Sequence, residues 1–215
     1  MADLHLYLGN KNYSSWSFRP WIAMRAKDVS FTEEVVPFDF ESGNPAFRTF
    51  SPSMKVPVLR HGDLTVWDSL AIMEYVADLY PERGFWPEDL KARALARAIS
   101  AEMHSGFTGL RGACPMNFRK PAGHLDVSDD VRADVARILN IWRQCIETSG
   151  GPFLFGDFTI ADAMYAPVVS RLATYQLTSD PVADQYGNAM RGTEAWQEWE
   201  AAALKETWIV PVDEV

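Results

Sequence analysis

The sequence predicts an α/β domain with a mixed sheet, followed by an all-helical domain. Two observations support this fold class. Short apolar strands alternate with helical patterns up to about residue 80, and no convincing strand pattern follows the proline- and glycine-rich break at 81–87. We therefore expect an N-terminal domain over 1–81, a linker over 82–89 and a helical domain over 90–215. A chain of this length can bury a sizeable core.

The elements of the N-terminal domain are expected in the order βαβ, one helical turn, then ββα. The spacing of apolar residues separates strands from helices, and two short β-rich runs around His61, Gly62 and Asp63 indicate a hairpin. The predicted elements are a strand at Leu4–Leu8, a helix at 17–28, a strand at 31–39, an irregular segment with one helical turn at 41–52, the hairpin at 56–67 and an amphipathic helix at 68–80.

The C-terminal domain is predicted to contain only helices. The clearest helix spans 128–149, because Ser128 is a suitable N-cap and Gly150 a suitable stop. Asp129 and Asp130 also complement the positive end of its dipole. The other predicted helices lie at 88–112, near 157–168 and at 191–204.

The composition argues against several classes of function. A net charge of −9 disfavours nucleic acid as a partner, because phosphate binding needs a positive surface. No apolar run approaches the ~18–20 residues that cross a bilayer, and the N-terminus lacks a signal-peptide pattern, so we expect a cytoplasmic protein. Cys114 and Cys145 match no metal or redox spacing and are expected to be reduced packing residues. The histidines show no ligand spacing either, so we expect no bound metal.

The first candidate site feature is Ser14 in the stretch NYSSWSFRPW, at the end of a strand-to-helix loop. A helix N-terminus offers free N–H groups and a partial positive charge, which stabilise an anion such as a thiolate. A serine hydroxyl at that point can donate a hydrogen bond to the sulfur and lower the thiol pKa. On spacing alone, a plain helix N-cap is the simpler interpretation of Ser14.

Two further features lie in KVPVL and WDSLAI. A cis Val56–Pro57 peptide bond would expose the backbone of Val56 to a peptide-like ligand, and Lys55 could pair with a carboxylate. Asp68 could accept from an ammonium while Ser69 and the adjacent N–H groups hold a carboxylate, which suits the two ends of an α-amino acid. A strand-leading proline and an ordinary helix cap are the structural alternatives.

The order and spacing of these features resemble the glutathione transferase superfamily over nearly the whole chain. GDFTIADAMYAPV is similar to the capping motif of that superfamily, in which Thr159 and Asp162 would form a capping box. SSWSFRPWIA, at 14–23, is most similar to the SSCSWRVRIA motif of the zeta class. The resemblance implies a thioredoxin-like first domain, glutathione as co-substrate and a homodimer.

The resemblance also implies roles for individual residues. Ser14, or alternatively Ser15, would stabilise the glutathione thiolate, and the backbone of Val56 would bind the cysteinyl part. Asp68 and Ser69 would hold the γ-glutamyl end. Lys55 stands where the zeta pattern has glutamine, so its contact is inferred from charge and position. The implied glutathione-binding set is Ser15, Trp16, Lys55, Val56, Pro57, Asp68 and Ser69.

Trp16 and Trp21 depart from the zeta motif, since they replace its cysteine and its second arginine. These departures weaken the prediction of maleylacetoacetate isomerase activity, although Arg19 and Arg111 could supply cations for a dicarboxylate-like substrate. An apolar electrophile pocket beside Trp16 is an equally suitable interpretation. The electrophile site is predicted at Trp16 and, on successive turns of one helix, at Met103, His104, Phe107 and Arg111. The structural alternative is that the apolar residues belong to the core and that His104 is a satisfied polar residue.

The sequence thus predicts a glutathione S-transferase that forms the thiolate at a serine and adds it to a hydrophobic electrophile, as in detoxification. The alternatives are a zeta-like glutathione-dependent cis–trans isomerase and a non-catalytic glutathione-binding protein. A protein that had lost the catalytic activity would be expected to carry substitutions at Ser14, Val56–Pro57 or Asp68–Ser69. The sequence retains all of these residues. The N-terminal domain contains no cysteine, which disfavours a thioredoxin-type oxidoreductase.

Overall fold

The computed structural model describes residues 3–215, so the predicted domain start at residue 1 lies outside the described residues. A four-stranded mixed sheet consists of β1 (Leu4–Leu8), β2 (Thr32–Val35), β3 (Val58–His61) and β4 (Leu64–Val66). The strand order is β2-β1-β3-β4, in which β1 is parallel to β2 and antiparallel to β3, and β4 is antiparallel to β3. This mixed sheet followed by helices confirms the predicted fold class.

Two helices accompany the sheet and the others form the C-terminal domain. The helices are α1 (Ser15–Ala26), α2 (Ser69–Leu79), α3 (Leu90–Ser105), α4 (Thr108–Ala113), α5 (Asp129–Ser149), α6 (Ile160–Thr174), α7 (Pro181–Arg191) and α8 (Glu194–Ala203). The helical turn predicted within 41–52 is a short 3₁₀ turn at Pro45–Thr49. No helix within residues 3–215 is both long and apolar enough to cross a membrane.

The prediction of one continuous helix at 88–112 is wrong, because Gly106 and Phe107 interrupt it. Gly106 follows α3, and a Cβ at this position would lie 2.8 Å from the carbonyl oxygen of Glu102. Phe107 then has a φ of +55°, in the left-handed region, before α4 begins. The residues of α4 therefore do not continue the face that α3 presents.

Helix α7 is not predicted by the sequence patterning. Its start is nevertheless marked by ordinary signals, since Asp180 is the N-cap and Pro181 occupies the first helical position. The predicted helix at 128–149 is confirmed, with Ser128 as its N-cap and Gly150 in the left-handed conformation after its last turn.

One edge of the sheet brings together the segments that carry the predicted site. Because β1 and β3 are antiparallel, with Tyr7 opposite Val58, the end of β1 lies beside the start of β3. Leu59 pairs with Val66, so the end of β4 lies at the same edge. The loop before α1, the segment before β3 and the start of α2 all leave the sheet here. The topology therefore makes these segments neighbours.

Helix α1 contacts both domains, since it packs against α2 of its own domain as well as against the helical domain. It packs against α6 and α8 of the helical domain, and the ring of Phe18 stacks on Trp199 with centroids 4.8 Å apart. Arg19 is fully buried, and its Nε donates to the carbonyl of Met164 at 3.1 Å. The N-terminus of α1 is consequently fixed relative to both domains.

The fully buried carboxylate of Asp162 organises the start of α6. Its Oδ2 accepts from the N–H and the hydroxyl of Thr159 at 2.7 and 3.0 Å, the side of a capping box that the carboxylate supplies. Its Oδ1 accepts from the N–H of Leu154 and the hydroxyl of Tyr186, both at 3.0 Å. Asp162 thereby satisfies donors from three separate segments.

The tail after α8 crosses the loop between β1 and α1. The Glu206 carboxylate accepts from the backbone N–H groups of Lys11 and Asn12 at 2.7 and 3.0 Å. Glu214 accepts from the hydroxyl of Tyr13. These bonds order a loop that has no regular structure of its own and that leads directly into α1.

Candidate active site

A cleft at this edge of the sheet consists of two adjoining cavities. We name the first the aromatic cavity, because Phe38, Phe40 and Phe47 line it; its volume is about 310 Å³. We name the second the α2 cavity, because the start of α2 lines it; its volume is about 430 Å³. Both have the size of a small-molecule site. The lining residues that they share are Trp16, Lys55, Val56 and Arg111.

Ser14 is the N-cap of α1 and lines the aromatic cavity, although only 5% of it is exposed. Its Oγ accepts from the backbone N–H of Ser17 at 3.4 Å and donates to Ser17 Oγ at 2.7 Å. Ser17 Oγ also accepts from the N–H of Gly9 at 3.0 Å. The hydroxyl of Ser14 is therefore anchored at a helix end where the dipole favours an anion.

Ser15, the first residue of α1, lines the same cavity. Its backbone carbonyl accepts from Nη1 of Arg19 at 2.9 Å, while its hydroxyl makes no hydrogen bond within residues 3–215. Two hydroxyls thus lie side by side at one helix end, of which Ser14 carries the anchored one and Ser15 the free one.

The Val56–Pro57 peptide bond is cis, and both residues line the α2 cavity. Within the described part of the chain, the backbone N–H of Val56 has no hydrogen-bond partner. An unpaired N–H at a cavity wall is available to the backbone of a peptide-like ligand. Lys55 is exposed, lines both cavities and forms no ion pair with any of residues 3–215.

Asp68 caps α2 with one carboxylate oxygen and contacts His104 with the other. Its Oδ1 accepts from the N–H of Leu70 at 3.0 Å, and its Oδ2 lies 3.0 Å from Nε2 of His104. The hydroxyl of Ser69 is buried, lines the same cavity and has no partner among the described residues. A carboxylate for an ammonium and a donor for a carboxylate therefore stand next to each other at a helix N-terminus.

Trp16 fixes the junction of the two cavities. The guanidinium groups of Arg19 and Arg111 lie over its ring, 4.2 and 4.7 Å from the ring centroid. His104 meets the same ring edge-on at 5.2 Å. Nη1 of Arg111 also donates to the carbonyl of Gly106 at 3.0 Å. These cation–π and hydrogen-bond contacts hold Arg111 where both cavities meet.

The structure separates the residues predicted for the electrophile site. Trp16, His104 and Arg111 line the cleft. Met103 and Phe107 are instead buried in the hydrophobic core and line neither cavity. Arg19, considered as a cation for a dicarboxylate, is fully buried beneath Trp16 and lines neither cavity.

The sequence patterns do not predict several of the residues that line the aromatic cavity. Phe38, Phe40 and Met54 come from the irregular chain between β2 and β3. The strand predicted at 31–39 ends at Val35, so Phe38 lies beyond it. Asp213 comes from the tail, and Arg171 from α6. For Arg171 the sequence does carry a signal. It is a single charge within the apolar stretch MYAPVVSRLATY.

The family of the chain follows from comparison with known domains. A model described as glutathione S-transferase, N-terminal domain, matches residues 13–79, and one described as glutathione S-transferase, C-terminal domain, matches residues 125–202. Their order agrees with a sheet-containing domain followed by helices. The chain belongs to the glutathione S-transferase family, which confirms the resemblance seen in the sequence.

Individual relatives agree with this assignment. Maleylacetoacetate isomerase from Rattus norvegicus is 27% identical over 192 residues, which cover 86% of this chain and 87% of that protein. Glutathione S-transferase 1 from Dianthus caryophyllus is 28% identical over 159 residues, covering 73% and 72%. A Burkholderia glutathione transferase homologue solved with bound glutathione has a TM-score of 0.72 at 22% identity, covering 94% and 98% of the two chains. At this identity the structural likeness shows that the fold is shared.

Proposed function

We propose that the enzyme binds glutathione in the α2 cavity, stabilises its thiolate with Ser14 and adds that thiolate to an electrophile in the aromatic cavity. One observation carries the proposal. The N-terminus of α1, the unpaired N–H of Val56 and the Asp68–Ser69 pair converge on one cleft. The family membership and the glutathione-bound homologue from Burkholderia support glutathione as the co-substrate.

The three parts of glutathione match three parts of the cleft. The backbone of Val56 pairs with the cysteinyl residue, as an added strand would. Asp68 accepts from the γ-glutamyl ammonium, and the free hydroxyl of Ser69 donates to the adjacent carboxylate. Lys55, exposed and without an ion-pair partner among residues 3–215, is placed for the glycyl carboxylate. His104 acts through its contact with Asp68 and is a positioning residue.

Ser14 stabilises the thiolate by changing its hydrogen-bond acceptor. Its hydroxyl has one proton, which goes to Ser17 Oγ at 2.7 Å. A hydrogen bond to a charged acceptor contributes about 1.5–3 kcal/mol, against about 0.5–1.5 kcal/mol for a neutral one. Redirecting the hydrogen bond of the Ser14 hydroxyl from Ser17 Oγ to the thiolate, with the proton remaining on Ser14, is therefore favourable, and it lowers the thiol pKa. Ser15, whose hydroxyl needs no such exchange, is the alternative donor.

The serine is a hydrogen-bond donor and the glutathione sulfur is the nucleophile. The sulfur lone pair forms the new bond to the electrophilic carbon, and either a leaving group departs or the carbanion is protonated. The chain contributes the lowered thiol pKa and the alignment of the two reactants. No serine–histidine–aspartate triad is required for this chemistry.

Replacing Asp68 by asparagine should raise the KM for glutathione about tenfold and leave kcat within about twofold. Asparagine caps a helix as well as aspartate does, so the change keeps the cap and removes the charge that binds the ammonium and faces His104. A lost charge-assisted hydrogen bond is worth about 1.5 kcal/mol or more, and ground-state binding appears in KM. Steady-state kinetics at varied glutathione measure it.

The matched control is Asp63→Asn, an exposed aspartate in the turn between β3 and β4. This variant should keep the wild-type KM. An unchanged KM in Asp68→Asn would exclude Asp68 from the glutathione site.

A second candidate function is glutathione-dependent cis–trans isomerisation. It is favoured by relatives named maleylacetoacetate isomerase and by the cation of Arg111 at the cavity junction. In that reaction the thiolate adds to a double bond, the single bond rotates and the thiolate is expelled, so glutathione is not consumed.

One panel experiment separates the candidate functions. Purified protein is assayed with glutathione and a set of electrophiles that includes chlorodinitrobenzene, aryl halides and maleylacetone. Conjugation of the halides supports the proposal, and turnover of maleylacetone alone supports the isomerase. Failure of glutathione to bind at millimolar concentration would exclude both reactions and the non-catalytic binding protein as well.

A homodimer and a cytosolic location are the assembly and compartment that the family membership supports. Analytical ultracentrifugation of the purified chain tests the homodimer, which should give a mass of about twice the 24.2 kDa of one chain. A monomer at micromolar concentration would contradict it.

A further inference from the structure

Arg171 is a buried arginine with unused hydrogen-bond donors at the wall of the aromatic cavity. Only 4% of its surface is exposed, and its Nε donates to the carbonyl of Cys114 at 2.7 Å. Its Nη1 is buried without a partner, and no carboxylate within residues 3–215 forms an ion pair with the guanidinium. A buried cation with unmade hydrogen bonds is costly for a fold. This side chain is therefore better explained by a ligand than by packing.

The charges around Arg171 favour an anion. Lys55 and Arg111 line the same cavity, and Asp213 is the acidic residue among its lining residues. Burial, and then the neighbouring charge of Arg111, lower the pKa of Arg171 to about 10, so it remains protonated at neutral pH. The cavity is thus positive in a chain whose net charge is −9. A cleft of one sign concentrates ligands of the opposite sign.

Apolar and aromatic side chains line the same cavity. The rings of Phe38 and Phe40 are stacked, with centroids 5.0 Å apart and an interplanar angle of 15°. Phe40 is 52% exposed, so its ring is accessible to a ligand. Met54 lines the same cavity. Aromatic faces of this kind bind flat apolar groups by offset stacking.

We infer that the electrophile is an aryl or similarly planar molecule that carries a carboxylate, with its ring on Phe38 and Phe40 and its carboxylate on Arg171, assisted by Arg111. The planar guanidinium fork matches a carboxylate in a bidentate contact. The inference rests on the proposed function, since glutathione in the α2 cavity supplies the attacking sulfur. It adds the substrate class to that function.

The test uses glutathione conjugates as bisubstrate probes. Calorimetry compares S-(carboxybenzyl)glutathione with the isosteric S-(carbamoylbenzyl)glutathione, each with its substituent in the meta or para position. The wild type should bind at least one acid about 10- to 100-fold more tightly than its amide, the value of a charge-assisted hydrogen bond. Equal affinity for acid and amide in both positions would overturn the inference.

Variants assign the preference to a residue. Arg171→Gln should reduce the ratio of the acid and amide affinities to below about threefold and change the affinity for the amide little. Arg111→Gln, on a half-buried side chain that does not support the core, should reduce the ratio partially. Arg132→Gln removes the same charge from an exposed position on α5 and should leave the ratio at its wild-type value.

Two other outcomes are distinguishable. Weaker binding of glutathione itself and of both conjugates in Arg171→Gln would mean that Arg171 holds the glycyl carboxylate, and would overturn the inference. Absence of binding of glutathione and of every conjugate by the wild type would overturn the proposed function first. The wild-type comparison requires no variant, so the inference stays testable even where Arg171→Gln does not fold.

Discussion

Replacing Ser14 by alanine is expected to lower kcat/KM for glutathione conjugation by about 100-fold at neutral pH. Removal of one donor that stabilises a reacting anion costs about 10²–10³ in rate in other enzymes, and Ser14 Oγ is the anchored donor at the N-terminus of α1. The affinity for glutathione should change little, since its binding contacts lie in the α2 cavity. Steady-state kinetics with chlorodinitrobenzene measure the effect.

Loss of a helix cap is the competing explanation for such a result. An N-cap serine replaced by alanine costs about 1 kcal/mol of stability. Ser128→Ala is a matched control, because Ser128 caps α5 and accepts from the N–H of Val131, outside the residues that line the cleft. It should lose similar stability and retain full activity. Activity retained in Ser14→Ala and lost in Ser15→Ala would assign the thiolate contact to Ser15.

Replacing Asp162 by alanine is expected to lower the free energy of unfolding by about 4 kcal/mol or more. The carboxylate accepts from Leu154, Thr159 and Tyr186 in the core, and each buried donor left without a partner costs about 1–3 kcal/mol. Domains are stable by about 5–15 kcal/mol in total, so this loss removes a large part of the free energy of unfolding. Urea denaturation measures the loss.

Two graded controls accompany this variant. Tyr186→Phe removes one donor and should cost about 1 kcal/mol. Asp184→Ala changes an exposed carboxylate in the first turn of α7 and should cost under about 0.5 kcal/mol. Wild-type stability in Asp162→Ala would exclude its role at the start of α6.

The same carboxylate makes stability depend on pH. Burial raises the pKa of Asp162 to about 6, above about 3.9 for an unfolded aspartate. Between these values the folded state holds a proton that the unfolded state releases. The stabilisation that comes from proton uptake by folded Asp162 is therefore full below about pH 4, and it is lost as the pH rises through about 6. An NMR titration of this carboxyl should give a midpoint near 6, and a midpoint near 4 would contradict the assignment.

The sequence predicts most of the fold because its patterns are local. Ser128 and Gly150 mark the limits of α5 without reference to other parts of the chain. The break after α3 is not predicted, because it depends on the left-handed conformation of Phe107, which a bulky residue seldom adopts. The Gly106 that precedes Phe107 is the remaining signal, and one glycine inside a helical pattern is weak.

In the candidate site, too, local patterns predict some residues, while others reach the cleft only through the packing of distant segments. Val56 lies just before β3, Asp68 caps α2 and Ser69 begins it, and all three residues line the α2 cavity. Arg171 and Asp213 reach the aromatic cavity through packing of α6 and the tail, which no local pattern describes. Met103 and Phe107 have the spacing of one continuous helix but do not line the cleft. The chain turns between α3 and α4, so this spacing does not describe a single helical face.

Titration of the thiol of bound glutathione tests the central claim most directly. Ultraviolet absorbance of the thiolate is followed against pH for the wild type, Ser14→Ala and Ser15→Ala, each saturated with glutathione. We predict a wild-type thiol pKa at least one unit below the value of about 8.5 for a free cysteine thiol, restored to near that value in Ser14→Ala only. A wild-type pKa near 8.5, or one that stays low in Ser14→Ala, would contradict the assignment of the thiolate to Ser14.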